Sequence, residues 1–150
     1  MKHLIFATSL ALAATSVTAG DNGMMRKDSA MGVAETVDSM VSAMEEAGIT
    51  IFARVDHGAG AQSIGADVGE MQLLIFGNPK VGTPAIQDDP VAGLFLPLKV
   101  LVYEDAMGAT KFVYEEPSAM LGKLGGVSED AAYLQTMAGA LAKFTDMVAN

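Results

Sequence analysis

Hydrophobic positions form two long helical stripes, separated by segments that alternate or run continuously apolar. Val33, Val37, Met40, Val41 and Met44 recur on one side of a helix, while Glu35, Asp38, Ser42, Glu45 and Glu46 take the other side. Gly48 stands where a left-handed residue commonly ends a helix, so the stripe is expected to stop there. Near the C-terminus Leu134, Met137, Leu141, Phe144 and Val148 repeat at spacings of three and four. Ser128 is expected to cap this second helix, with Glu129 and Asp130 favourably placed against its dipole.

The segments between the stripes read as strands. Met24 to Ser29 suits a first, edge strand. Thr50 to Asp56 alternates, with Ile51, Ala53 and Val55 set against Thr50, Phe52, Arg54 and Asp56. His57 to Ala66 is small and glycine-rich, with room for a short helix from Ala59 to Ile64. Met71 to Phe76 is nearly continuous apolar sequence, as in a central strand, and Gly77-Asn78-Pro79 breaks it. Lys80 to Gly93 is expected to be a loop or a short helix between turns. Leu94 to Glu104 reads as another apolar strand with Pro97 near its start, where a missing donor is tolerated. Asp105 to Gly108 reads as a hairpin turn leading into Thr110 to Tyr114, with Phe112 and Tyr114 on one face and Val113 on the other. Ser118 to Val127 is expected to be a loop. The predicted order is β-α-β-β-β-β-α, an α+β fold with two helices on one face of an antiparallel sheet.

The first 19 residues change the picture, because they read as a signal peptide rather than as part of that fold. Met1, Lys2 and His3 make a positive start, Leu4 to Ala14 is uncharged and mostly apolar, and Val17-Thr18-Ala19 supplies small residues before a cut between Ala19 and Gly20. The apolar run is shorter than the ~20 residues of a membrane-spanning helix. The expectation is therefore a periplasmic or secreted protein with no stable membrane anchor, its residues 20–150 forming a single domain.

Charge and composition narrow the chemistry. The chain has 9 basic and 18 acidic residues, a formal net charge of −9, and loss of Lys2 makes the mature domain more acidic still. Such a domain repels phosphate backbones, so nucleic acid is not an expected partner. There is no cysteine, which excludes disulfides, thiol nucleophiles and a lipid-bearing thiol. The 11 methionines admit copper binding through thioethers, but Met40, Met44 and Met137 lie on the helical stripes, which favours gap-filling in a core.

Several runs carry a family resemblance. Leu74-Ile75-Phe76-Gly77-Asn78-Pro79-Lys80, then Pro90, then Leu94 to Glu104 with its Leu-Pro-Leu-Lys run, resembles the family called domain of unknown function 302. Ala53-Arg54-Val55-Asp56-His57 and Tyr114-Glu115-Glu116-Pro117 fit the same family, and the likeness runs from about Met24 to Val148. The resemblance implies a fold of the TATA-box-binding-protein-like group, and a homodimer as a form the chain could take. It implies no established function.

The mature chain keeps His57 as its one histidine, which excludes a four-ligand Cys/His zinc site. A Ser-His-Asp triad would have to use His57, and neighbouring Asp56 is a poor orienter for it on a strand. No nucleophile elbow, phosphate-binding loop or dinucleotide fingerprint is present. Three polar residues are candidates for a ligand site: His57 at a strand end, Asn78 after the central strand, and Lys99 within an apolar strand. The hypothesis is that they line one polar pocket at an edge of the sheet. For each a plainer role competes: a loop hydrogen bond for His57, turn chemistry for Asn78, and solvent exposure for Lys99. The order of functional classes is small-ligand binding or sensing, then an accessory protein-interaction domain, then an enzyme using His57 as acid or base. The sequence leaves the cofactor, if there is one, unknown.

Overall fold

Two apolar stripes need a partner surface, and the alternating strands supply it. The computed structural model describes residues 18–19 and 22–149. The chain runs β1 (Thr18–Ala19), β2 (Met24–Asp28), α1 (Val33–Glu46), β3 (Thr50–Asp56), α2 (His57–Ser63), β4 (Met71–Gly77), α3 (Pro79–Asp88), α4 (Ala92–Phe95), β5 (Leu98–Glu104), β6 (Thr110–Glu115), α5 (Pro117–Leu121) and α6 (Ala132–Asp146). One antiparallel sheet has the strand order β1-β2-β6-β5-β4-β3. The expected α+β fold is present, with short helices added between the strands. Apart from Thr18 and Ala19, the expected signal peptide lies outside the described residues.

Register decides which side chains meet the helices. Leu74 pairs with Val100, Phe76 with Leu98, and Val102 with Phe112. All six are buried, on the face that receives Val33, Val37, Met40 and Met44 of α1 and Leu134, Met137, Leu141 and Phe144 of α6. The opposite face carries Met71, Leu73, Ile75, Leu101, Tyr103 and Val113, all half-buried. Burying the first set drives the fold, at roughly 1.5–3 kcal/mol for each large apolar side chain.

Polar contacts pin the edges. Lys27 points from β2 into the helix layer, where its Nζ donates to Thr145 Oγ1 at 2.9 Å and forms an ion pair with Asp146. Arg54 pairs with Asp38 of α1 and donates to Gln72, tying β3 to both neighbours. Tyr133 of α6 donates its hydroxyl to Asp88 at the end of α3 at 2.9 Å. Burial, reinforced by the Asp88 carboxylate, pushes the Tyr133 phenol pKa up.

Four local expectations are corrected. The alternation of β3 is interrupted at Phe52, where a register shift falls between Ile51 and Ala53. Past that bulge the phase reverses, so Arg54 rather than Ala53 reaches the helix side. Leu94 and Phe95 belong to the short α4, and the strand begins at Leu98, after Pro97. The expected loop after Ser118 contains α5, which starts at Pro117 because the Glu116 carboxylate accepts from the Ser118 and Ala119 amides. Ser128 caps no helix: its hydroxyl bonds Asp130, its carbonyl closes a turn to Ala131, and α6 begins only at Ala132. Of the two forms expected for Lys80 to Gly93, the structure has the helical one, as α3 and the start of α4.

Candidate functional site

Where β4 ends, Asn78 and Pro79 turn the chain into α3. The Asn78 Oδ1 accepts from the Lys80 amide at 3.0 Å, and Pro79, which has no amide hydrogen, occupies the first helical position. This cap sends α3 out from the sheet end and across towards α6. Tyr133 and Asp88 hold the two helices together at the far end of α3. A cavity of about 430 Å³ is left between α3, α6, the ends of β3, β4 and β5, and the α1–β3 turn.

The cavity has an apolar floor and a mixed rim. Phe76, Leu98 and Met137 are buried and form its floor. Phe52, Thr83, Ile86 and Thr136 lie exposed at its edge, Phe52 at 54% and Ile86 at 40%. Gly77 lies between the Phe52 ring and the Pro97 side chain, where an added Cβ would make ordinary contacts at 3.5 Å to each. Among the described residues, no titratable side chain lines this cavity.

The three sequence-predicted residues do not meet. Asn78 lines the cavity and is half-buried. Lys99 lies by a second depression of about 260 Å³, near where β5 and β6 part beyond the Leu101–Val113 pair. Its Nζ donates to the carbonyls of Phe95 at 2.8 Å and Pro97 at 3.0 Å. Partial burial lowers the Lys99 pKa, and the nearby Glu115 charge opposes that shift. Antiparallel pairing does make β4 and β5 neighbours, but Lys99 is opposite Ile75, three residues before Asn78. His57 is exposed at the start of α2, beyond the far end of β3 from Asn78, which puts the two roughly 20 Å apart along the strands. The single polar pocket is thus not formed. Next to His57, Asp56 accepts from the Ala59 amide at 2.8 Å and caps α2.

The sequence reading missed the apolar cavity itself. One signal was available: Asn-Pro after a central strand is a helix start as well as a turn, and a helix there must leave the sheet at its end. The methionines on the stripes, Met40, Met44 and Met137, are buried in the core. Among the described residues, no group of three or more His, Cys, Asp or Glu could hold a metal ion. Among them too, no helix is long and apolar enough to cross a membrane.

Comparison with known proteins places these features in a wider set. The family described as "Domain of unknown function DUF302" matches residues 25–147. The fluoride-specific ion channel FluC 1 of Brucella suis biovar 1 is 35% identical over 120 residues, covering 79% of this chain and 47% of the channel. FluC 2 of Brucella melitensis biotype 1 is also 35% identical over 120 residues, covering 79% of this chain and 44% of that protein. The chain therefore spans a little under half the length of these curated relatives. A crystal structure of an uncharacterized conserved protein DUF302 from Bacillus stearothermophilus superposes with a TM-score of 0.72 at 22% identity, covering 84% of this chain and 98% of that one. That likeness concerns the fold.

Proposed function

Because the chain belongs to the DUF302 family, we propose that its version of this fold binds a small apolar molecule in the cavity between α3, α6 and the sheet end. The cavity itself carries the reading: it is concave, about 430 Å³, floored by Phe76, Leu98 and Met137, and has the half-buried Asn78 in its wall. Ligand sites commonly have this size and this mixture of apolar walls with few polar groups. The absence of a titratable side chain in the lining supports binding over acid–base catalysis. Ala140 lines the cavity from α6, so Ala140→Leu adds apolar bulk inside it without removing a core contact. This variant is expected to keep its thermal midpoint and to lose at least ten-fold in affinity for an apolar probe in calorimetry. His57→Ala is expected to leave that affinity unchanged. Equal affinity for Ala140→Leu and the unaltered protein contradicts the reading.

A second reading, an accessory interaction domain, rests on the half-buried sheet face. Arg26, Lys99 and Lys111 share that face with Asp28 and Glu115, so it is close to neutral on a chain of net charge −9. Two copies repel one another least there, which favours a homodimer through Leu73, Leu101 and Val113. Sedimentation velocity checks it. Self-association abolished by Leu101→Lys is expected, and a monomer at high concentration contradicts it.

A further inference from the structure

Resting on the proposed cavity site, we infer that its ligand is an uncharged apolar molecule of roughly a dozen non-hydrogen atoms, with one hydrogen-bond acceptor that meets the Asn78 Nδ2. The size follows from the cavity volume of about 430 Å³, at about 30 Å³ for each water-sized group. The lack of charge follows from the lining. Of its residues only Asn78, Thr83 and Thr136 carry polar side chains, and none is ionisable. A charged group moved out of water into such a wall has nothing to offset its lost hydration.

The backbone around Asn78 is already committed. The Lys80 amide donates to Asn78 Oδ1, while the Val81 and Gly82 amides donate to the Asn78 carbonyl. Pro79 has no amide hydrogen. The first turn of α3 therefore offers no spare donor to a carboxylate or phosphate. Thr136 donates its hydroxyl to the Ala132 carbonyl at 3.0 Å. The Asn78 Nδ2 has no hydrogen-bond partner among the described residues, and Asn78 is the half-buried member of the three polar residues, whereas Thr83 and Thr136 are exposed at the rim. The half-buried polar side chain of the lining is thus a neutral amide with its Nδ2 left over from the cap, which suits a ketone, ester or alcohol oxygen. The matching donor also rejects ligands that leave it unpaired.

Three probes of equal chain length separate the possibilities: 2-decanone, decanoate and decylamine, the last two ionised at pH 8. Calorimetric titration at pH 8 is expected to give 2-decanone at least a ten-fold lower Kd than either ion. Asn78→Asp and Asn78→Ser each keep a side-chain oxygen to cap α3 and remove the amide donor. Both are expected to hold the thermal midpoint while weakening 2-decanone about ten-fold. If either ion binds as well as 2-decanone and Ala140→Leu abolishes that binding, the cavity site stands and the inference of an uncharged ligand is overturned. If 2-decanone binds equally well to both Asn78 variants, the amide's role is overturned. If no probe binds, or binding ignores Ala140→Leu, the cavity site falls as well.

Discussion

Phe76→Ala is expected to destabilise the domain by about 3–5 kcal/mol, the range for truncating an enclosed aromatic side chain. Phe76 is 1% exposed and lies on the helix-facing side of β4, paired with Ile51 on one flank and Leu98 on the other. Its ring is both a core element and part of the cavity floor. Truncation leaves a void that merges with the existing cavity, so the surrounding side chains have little reason to collapse into it. Urea titration should show a lower midpoint with an unchanged slope, because the folded and unfolded surfaces remain similar. Affinity for an apolar probe should fall together with stability, since the floor is lost. A loss below about 1 kcal/mol would mean that Phe76 is not enclosed as described.

The second large effect is expected at Gly126. A Cβ there would lie 2.3 Å from the Asp88 carbonyl oxygen and 3.0 Å from its carbon, so backbone has to move. Gly126→Ala is expected to cost about 1–3 kcal/mol, as overpacking does elsewhere. The strain falls on the end of α3, where Asp88 bonds Tyr133 and Asp89 accepts from the Gly126 amide at 3.2 Å. Displacing that end shifts one wall of the cavity, so probe affinity should weaken as well. Gly139→Ala is the comparison: Gly139 lies inside α6 with nothing within 4 Å of an added Cβ. That change should stabilise by up to about 1 kcal/mol through helix propensity alone. Equal thermal midpoints for the two variants would contradict the close approach at Gly126.

The layout of the fold was legible because burial and periodicity agree on the long elements. The stripe Val33, Val37, Met40 and Met44 is the buried side of α1, and Leu134, Met137, Leu141 and Phe144 are that of α6. Thr50 to Asp56 has the bounds that alternation predicts. Alternation could not reveal the bulge at Phe52, because a register shift depends on the partner strand. Leu94 and Phe95 looked like strand because short apolar runs do not distinguish helix from strand. The helix at Pro117 was readable from Glu116-Pro117, an acceptor followed by a proline that fits a first helical turn.

The candidate site was much less legible. Polar residues drew the sequence reading to His57, Asn78 and Lys99, and only Asn78 reaches the cavity. The floor comes from Phe76, Leu98 and Met137, which look like ordinary core residues and lie far apart in the chain. No spacing rule links them. Phe76 and Leu98 meet as cross-strand partners of β4 and β5, and Met137 joins them from α6.

Methyl-resolved NMR during titration with 2-decanone tests the cavity site most directly. Ile49, Ile86 and Met137 line the cavity, whereas Ile64 and Met107 are exposed and lie outside it. The predicted result is a saturable shift of the Ile49, Ile86 and Met137 methyl signals with Ile64 and Met107 unmoved. Shifts confined to Met71 and Ile75 on the other face of the sheet, or no saturable shift at all, would contradict it.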